Sequence, residues 1–184
     1  MTTLMDIVDN ERTDKNTTHS YLPLYENLLK EKKDTAQIVM EIGICNGGSI
    51  KLWRDYFQQA TVYGADIMHW DYVWEELKND PRIKLMTSTD AYHPDVIATI
   101  KDVKFDFIID DGPHTLDSMI VFVKEYSQLL SDKGILILED VQDFYWFDTL
   151  VENTPEHLKQ FIEIYDLRGN KGRYDDLVFV IKKQ

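Results

Sequence analysis

Short runs of apolar residues alternate along the chain with amphipathic stretches, and this alternation predicts an α/β fold. The apolar runs have the length and the Ile, Val, Leu and Phe content of buried parallel strands. Strands are predicted at Ala36–Ile42, Thr61–Ile67, Ile83–Met86, Phe105–Asp110, Gly134–Glu139, Phe161–Leu167 and Leu177–Lys182. Helices are predicted at Tyr21–Lys33, Ser49–Gln59, Tyr72–Asn79, Pro94–Lys101, Leu116–Leu130 and Pro155–Gln160. Such an alternation forms a mostly parallel sheet with helices on both faces.

The last two predicted strands are joined by a short polar connection, Arg168–Asp176, which has no room for a crossover helix. Strands joined in this way pair as an antiparallel hairpin, here at the C-terminal end of the sheet. A plain dinucleotide-binding fold would instead continue with another crossover. Since neither a repeat nor a Pro/Gly-rich linker interrupts the chain, we expect residues 1–184 to form a single domain.

The charge balance narrows the range of partners. With 33 Asp and Glu against 20 Lys and Arg, the net charge is −13, which argues against nucleic acid because phosphate backbones are normally bound by a basic face. No apolar run approaches the roughly 20 residues that cross a bilayer. The first residues are polar and acidic, unlike a signal peptide, so we expect a cytoplasmic protein that does not bind membranes. Self-association into a homo-oligomer is left open.

A glycine-rich turn follows the first predicted strand and opens the next helix, within Glu41–Ser49 (EIGICNGGS). Its spacing from Gly43 is Gly-x-x-x-Gly-Gly, whereas a pyrophosphate site requires Gly-x-Gly-x-x-Gly. A second acid, Asp66, ends the second strand, where the hydroxyls of a ribose would lie. These features suit a nucleoside without a pyrophosphate, such as S-adenosylmethionine. A purely structural strand-to-helix turn is the alternative, and the turn alone does not decide between them.

Two pairs of acids end neighbouring apolar strands, Asp110-Asp111 after the fourth and Glu139-Asp140 after the fifth. Adjacent strands lie about 4.8 Å apart, so these carboxylates would share a small volume and repel one another. A hard divalent cation removes that conflict. Because the chain has a single cysteine, oxygen atoms must supply most ligands, which favours Mg, Mn or Ca over Zn. His114, three residues past Asp111, is placed to act as the base for a metal-bound hydroxyl.

With these residues in place, the chain resembles the metal-dependent deoxysugar O-methyltransferases of the macrocin, mycinamicin and rhamnosyl type. The matching stretches cover most of the chain in the expected order. They are Thr13–Tyr21 (TDKNTTHSY), Glu41–Ser49 with Leu52-Trp53, Tyr63–Ile67 (YGADI), Phe105–His114 (FDFIIDDGPH), Lys133–Asp140 (KGILILED) and Tyr145-Trp146. One departure is Pro113, where the family usually has Ser. The resemblance implies the Rossmann-like class I methyltransferase fold, with residues 1–33 as a cap segment and helix over the cofactor.

The resemblance also implies roles for individual residues. The predicted S-adenosylmethionine contacts are Glu41, Gly43, Asn46, Gly47, Ser49, Asp66 and Ile67 at the ribose, Asp90 near the adenine, and Asp110 on the cofactor side. Asp111, Glu139 and Asp140 would hold Mg²⁺ or Mn²⁺. His114 would be the general base, with Asp111 beside it as the second catalytic residue.

The reaction that follows from the resemblance is methyl transfer from S-adenosylmethionine to a hydroxyl of a rhamnose-like deoxysugar, on a glycan or a glycosylated natural product. The metal would chelate two neighbouring hydroxyls of this acceptor. Two other interpretations stay open at this point. One keeps the metal but takes a catechol-like small molecule as acceptor, and the other is a methyltransferase-like binding domain without catalysis.

Overall fold

The computed structural model describes residues 2–184 and contains one seven-stranded sheet with helices on both faces. The strands are β1 Ile38–Ile42, β2 Thr61–Ala65, β3 Ile83–Met86, β4 Phe105–Asp110, β5 Leu130–Leu138, β6 Ile162–Asp166 and β7 Leu177–Lys182. The α-helices are α1 Leu4–Ile7, α2 Leu22–Leu29, α3 Gly48–Tyr56, α4 Glu75–Lys78, α5 Pro94–Ile100, α6 Leu116–Glu125, α7 Trp146–Asn153 and α8 Arg168–Lys171. Single 3-10 turns cover Trp70–Tyr72, Tyr126–Leu129 and Glu156–Phe161.

The order of strands across the sheet is β3-β2-β1-β4-β5-β7-β6. The pairs from β3 to β5 are parallel, and β7 pairs antiparallel with both β5 and β6. The predicted fold class is therefore confirmed, including the C-terminal antiparallel hairpin. Among residues 2–184, none of the helices has the length and apolarity that crossing a bilayer requires.

Several predicted boundaries were wrong. The fifth strand begins at Leu130 instead of Gly134, because Leu130 already pairs with Phe105 before an irregularity in the register. The helix predicted over Tyr72–Asn79 is replaced by a 3-10 turn and the short α4. The α-helical part of Leu116–Leu130 ends at Glu125, and the helix predicted over Pro155–Gln160 is a 3-10 turn. Helices α1, α7 and α8 were not predicted.

Alternate side chains of the inner strands pack in two hydrophobic layers, one on each face of the sheet. Val39 of β1 and Phe107 of β4 point into one layer, while Met40 and Ile108 point into the other. In the first layer, the Trp53 ring meets the Phe107 ring edge-on, with 5.1 Å between centroids. Burying a side chain of this size contributes about 1.5–3 kcal/mol, so the period-two pattern alone accounts for a sheet covered on both faces.

The strand register places three strand ends at one edge of the sheet. Ile42 of β1 pairs with Asp110 of β4, and Asp110 in turn pairs with Leu138 of β5. The residues that follow these three ends are Gly43, Asp111 and Glu139. In an open parallel sheet this carboxyl edge is where ligands bind, so the fold itself brings the glycine-rich turn and both acidic pairs together.

Candidate active site

A cavity of about 1200 Å³ opens at this edge of the sheet. Most of the residues predicted from the sequence line it, and a smaller group does not. The predicted residues in its wall are Gly43, Ser49, Asp66, Ile67, Asp90, Asp111, His114 and Asp140. The predicted residues outside its wall are Glu41, Asn46, Gly47, Asp110 and Glu139. For both groups a direct contact with a cofactor or a metal stays a prediction.

The glycine-rich turn is held close to the β4 strand end. Gly43 has φ +83°, and a Cβ atom there would lie 1.8 Å from the carbonyl oxygen of Asp111. Gly47, at φ 97°, is the N-cap of α3. The backbone N–H of Cys45 donates to Asp66 Oδ2 at 2.8 Å, so the acid that ends β2 also fastens the turn. This close approach requires glycine, because any side chain at Gly43 would push the two segments apart.

Two residues predicted to contact the cofactor lie outside the cavity wall and form hydrogen bonds next to the glycine-rich turn. Asn46 donates its side-chain amide to the Tyr72 carbonyl at 2.9 Å. Glu41 is completely buried and accepts a hydrogen bond from Trp53 Nε1 at 3.1 Å. Burial raises the pKa of Glu41 to about 7, against the opposing charge of Lys15. Its Oε1 has no hydrogen-bond partner within residues 2–184, and it faces the Lys15 ammonium at 3.6 Å.

Asp110 supports the loop that follows β4. Its Oδ1 accepts a hydrogen bond from the Tyr92 hydroxyl at 2.6 Å and another from the Gly112 N–H at 2.9 Å. Burial raises the pKa of Asp110 to about 7, although both hydrogen bonds favour the carboxylate. Its Oδ2 has no hydrogen-bond partner in the part of the chain that the structure describes. The side chain therefore packs under the strand end, and the neighbouring Asp111 faces the cavity.

Asp111, His114 and Asp140 form a group whose ligand atoms all lie within 4.8 Å of one another. His114 Nε2 lies 3.1 Å from Asp111 Oδ1 and 3.4 Å from Asp140 Oδ2. The two carboxylates supply the oxygen ligands that Mg²⁺ or Mn²⁺ prefers, with remaining positions left to water or substrate oxygens, and His114 lies beside them. The residues present therefore fit the predicted metal, and the group lies in the cavity wall.

The electrostatics of this group favour the charged forms of Asp111 and His114, whereas burial raises the pKa of Asp140 above its usual value. Burial opposes ionisation of Asp111, but the charge of Lys15 and the hydrogen bond with His114 outweigh it and hold the Asp111 pKa well below its usual range. Burial also opposes the charged imidazole, while Asp111 and Asp140 together raise the pKa of His114. A cation bound to the same carboxylates would cancel that second effect and leave His114 able to accept a proton.

The backbone around the cavity is strained at several non-glycine residues. Cys45, His114 and Asp140 have φ values of 47°, 53° and 55°, and all three line the cavity. Residues other than glycine rarely adopt this left-handed conformation, which costs about 1 kcal/mol or more at each position. Strain of this kind concentrates at functional sites, where it aims side chains in directions that regular structure does not allow.

Glu139 lies beneath the cavity and uses both of its oxygens in hydrogen bonds. It is 1% exposed and accepts one hydrogen bond from the Tyr25 hydroxyl and one from the Lys15 ammonium. Burial raises the pKa of Glu139 well above its usual value, against the stabilising charge of Lys15. It is not among the three residues whose ligand atoms lie within 4.8 Å of one another, although it shares the Lys15 ammonium with Asp111. Its role as a metal ligand stays a prediction.

Lys15 is the functional candidate that sequence reasoning missed. Its ammonium is fully buried and donates to Asp111 Oδ2 at 2.8 Å and to Glu139. A lysine within a polar N-terminal segment carries no periodic signal, and its partners lie 96 and 124 residues away in sequence. The only available signal was the position of Lys15 within Thr13–Tyr21, one of the stretches that carry the resemblance.

The segment around Lys15 crosses the cavity mouth. Asn10–Asp14, Thr17 and His19 contribute to its wall, and the Arg12 carbonyl packs so tightly on Gly48 that a Cβ there would lie 1.9 Å away. His19 Nδ1 lies 2.6 Å from Asp176 Oδ1, and the Tyr21 hydroxyl donates to Asp140. The segment thus contacts both the helix α3 start and the acidic strand ends.

The comparison with known proteins identifies the family. The family model of the FtsJ-like methyltransferases matches residues 22–159, which include every strand end of the site. The chain belongs to the FtsJ-like methyltransferase family. Methyltransferases with other acceptors share this fold, so membership by itself does not identify the substrate of this FtsJ-like protein.

Curated relatives of this FtsJ-like chain are sugar O-methyltransferases. It is 29% identical over 143 residues to the 8-demethyl-8-alpha-L-rhamnosyl tetracenomycin-C 2'-O-methyltransferase of Streptomyces olivaceus, covering 73% of this chain and 36% of the relative. It is 28% identical over 137 residues to the mycinamicin VI 2''-O-methyltransferase of Micromonospora griseorubida, covering 70% of this chain and 33% of the relative. The resemblance inferred from the motifs is confirmed. The chain spans about a third of the length of these relatives.

A solved structure shows the same fold. MycE methyltransferase from the mycinamycin biosynthetic pathway, in complex with Mg, SAH and mycinamycin VI, superimposes with a TM-score of 0.69 at 19% identity. The superposition covers 91% of this chain and 50% of MycE. The predicted class I methyltransferase fold is confirmed for this FtsJ-like protein.

Proposed function

We propose that the protein is an S-adenosylmethionine- and Mg²⁺-dependent O-methyltransferase that acts on a hydroxyl of a rhamnose-like deoxysugar. The observation that carries the proposal is the position of Asp111, His114 and Asp140 in the wall of the same cavity as the glycine-rich turn and Asp66. One cavity thus offers a nucleoside site and a metal-capable group side by side. Transfer of a methyl group from a nucleoside donor to a metal-activated hydroxyl requires both features in one place.

Gly43, Ser49, Asp66, Ile67 and Asp90 form the proposed cofactor side of the cavity. Gly43 lines the cavity and leaves room for the Asp111 carbonyl, and the carboxylates of Asp66 and Asp90 suit hydroxyl and amino groups of a nucleoside. Four residues outside the cavity wall would act indirectly, by holding the glycine-rich turn and the loop after β4 in place. They are Glu41, Asn46, Gly47 and Asp110. The acidic surroundings also favour the positive sulfonium of the donor.

On the acceptor side, Asp111 and Asp140 would hold the divalent ion, and Glu139 would join them if its contacts with Lys15 and Tyr25 rearrange. When bound, the divalent ion would supply Lewis-acid polarisation of an acceptor hydroxyl. His114, within 3.4 Å of both carboxylates, would accept the hydroxyl proton at a ring nitrogen. The oxygen would then form a bond to the methyl carbon as the bond between that carbon and the sulfonium sulfur breaks, and S-adenosylhomocysteine would leave.

The proposed acceptor is a sugar on a small molecule or a glycan. Both relatives described above are named for methylation of a sugar hydroxyl, and the mycinamycin complex of MycE contains a glycosylated natural product with Mg and SAH. A net charge of −13 further disfavours nucleic acid as the acceptor. Polar residues near the metal-capable group, including His19 and Asp175, suit the hydroxyls of a sugar ring.

The test combines binding and turnover. Calorimetry should show binding of S-adenosylhomocysteine, and methyl transfer to a panel of rhamnosides should require Mg²⁺ and stop in EDTA. His114→Ala should bind S-adenosylhomocysteine like the parent but lose turnover by about 100-fold or more, as expected for loss of a general base. His157→Ala is the matched control, because His157 is exposed and lies outside the cavity.

Four results would contradict the proposal in different ways. Absence of cofactor binding would exclude a methyltransferase, and full activity in EDTA would exclude the metal. Methylation of catechols in preference to every rhamnoside would keep the chemistry but replace the acceptor. Binding of cofactor and metal without turnover on any acceptor would favour a non-catalytic domain.

A further inference from the structure

Lys15 is the one lysine that is completely buried in the part of the chain from residue 2 to residue 184. A buried ammonium is costly unless charged and hydrogen-bonding partners surround it. Its backbone is fixed by a compact turn, in which the Asp14 carbonyl accepts the N–H groups of residues 17, 18 and 19 and the Lys15 carbonyl accepts that of Tyr21. The side chain is therefore held inside the protein by its own segment.

The surroundings of the Lys15 ammonium are three carboxylates from three different strand ends. Nζ donates to Asp111 Oδ2 at 2.8 Å and to Glu139, and it lies 3.6 Å from Glu41 Oε1. An ammonium has three N–H groups and no acceptor, so three acids match its capacity. The ammonium therefore takes one oxygen of Asp111, while the other oxygen of Asp111 remains on the side of the metal-capable group.

The two oxygens of Asp111 face opposite ways. Oδ2 receives the Lys15 ammonium, while Oδ1 lies 3.1 Å from His114 and belongs to the metal-capable group with Asp140. A divalent ion bound on the Oδ1 side would share one carboxylate with the ammonium. Two cations so close together, with the ammonium completely buried, repel each other more strongly than they would in bulk solvent.

We propose that Lys15 is an internal counter-cation of the metal site. Its ammonium holds Asp111 and Glu139 in place while no divalent ion is bound, and it lowers the affinity of the site for that ion. Lys15 is thus a positioning residue that makes the metal-free protein more stable and the metal more easily exchanged. This inference rests on the proposed function, because it takes Asp111 and Asp140 as ligands of the divalent ion.

A neighbouring lysine offers a matched control. Lys171 contacts the same N-terminal segment but binds only the backbone of that segment. The Lys171 ammonium donates to the carbonyls of residues 16, 17 and 19 at 2.5, 2.8 and 2.9 Å. Lys171→Met should therefore loosen the segment without removing a charge from the carboxylates. Lys15→Met removes that charge, and Lys15→Gln removes it while keeping an N–H donor for Asp111 or Glu139.

The experiment measures free Mn²⁺ by electron paramagnetic resonance during titration of each variant, together with thermal unfolding in EDTA and in excess Mn²⁺. Lys15→Met and Lys15→Gln should bind Mn²⁺ about tenfold more tightly or better than the parent, because a competing charge has been removed. Both should unfold at a lower temperature in EDTA and gain more from Mn²⁺ than the parent gains. Lys171→Met should lose stability with an unchanged Mn²⁺ affinity.

The outcomes separate this inference from the proposed function. If the parent binds Mn²⁺ and the Lys15 variants bind it equally or more weakly, Lys15 is not a counter-cation, although the metal site stands. If neither the parent nor any variant binds Mn²⁺, both proposals fail. A Lys15 variant that unfolds in EDTA and folds when Mn²⁺ is added supports the inference, whereas one that stays unfolded in both conditions overturns it.

Discussion

Gly43 joins the glycine-rich turn to the strand end that carries Asp111, and replacing it with alanine should separate these two segments. The residue has φ +83°, and its added Cβ would lie 1.8 Å from the Asp111 carbonyl oxygen, where real Cβ atoms essentially never come closer than 3.0 Å. The opposing atom belongs to the backbone, so no side-chain rotation can relieve the overlap. Either the turn or the β4 strand end must move.

The magnitude can be separated into two parts. Alanine in the left-handed conformation destabilises the folded state by about 1–2 kcal/mol. Alanine also has fewer conformations than glycine in the unfolded chain, which offsets about 0.4–1 kcal/mol of that loss. Forcing extra volume into a packed region adds about 1–3 kcal/mol. Gly43→Ala should therefore lower the free energy of unfolding by about 1–5 kcal/mol. The melting temperature should fall by about 2–4 °C for each kcal/mol.

Two other glycines provide controls for the same substitution. Gly172 has φ +74° with nothing within 4 Å of an added Cβ, so Gly172→Ala carries the backbone penalty alone, about 1 kcal/mol. Gly169 lies in α8, also with open space around it, so Gly169→Ala should be neutral or slightly stabilising. Urea unfolding followed by the fluorescence of the four tryptophans measures all three. If Gly43→Ala lost no more stability than Gly172→Ala, the close approach to Asp111 would not constrain the fold.

Three further predictions concern individual side chains. Tyr25→Phe should lower the free energy of unfolding, measured with urea, by about 1–3 kcal/mol, because one oxygen of the buried Glu139 loses its hydrogen-bond donor. An unchanged stability would contradict this contact. Burial raises the pKa of Glu41 from 4.5 to about 7, so its ionisation is disfavoured in the folded state. The free energy of unfolding of the parent should accordingly fall by up to about 3 kcal/mol relative to that of Glu41→Gln as the pH rises from 4.5 to 7. A difference between the two proteins that does not change with pH, or that grows in favour of the parent, would refute this prediction. Cys45, the single cysteine, is exposed in the glycine-rich turn and lines the cavity. If this cavity binds the cofactor as proposed, saturating S-adenosylhomocysteine should slow alkylation of Cys45 by iodoacetamide, and equal rates would place the cofactor elsewhere.

The parts of the fold that were predicted from sequence depend on short-range patterns. Each strand is a local apolar run, and the parallel arrangement follows from the helices between the runs. The grouping of Asp111 and Asp140 at one edge follows from the same rule, because both come directly after the ends of paired strands. His114 could be placed from its spacing to Asp111 alone.

The parts that could not be predicted depend on contacts between distant segments. Lys15 enters the site from a polar segment that has no periodicity, and only the folded chain brings it to Glu139, 124 residues away. The start of β5 was missed because Asp132, Lys133 and Gly134 are typical turn residues, yet Leu130 pairs with Phe105 across an irregular register. In both cases tertiary contacts override the local signal.

Strand β7 lies between β5 and β6 although it is the last strand in chain order. During synthesis, β6 therefore leaves the ribosome before the strand that it pairs with, and β5 keeps an open edge for the same interval. An unpaired edge on a nascent sheet is a target for aggregation or for pairing with another chain. Ribosome-bound chains that stop before Leu177 should consequently need chaperone protection, whereas chains released with β7 in place should not.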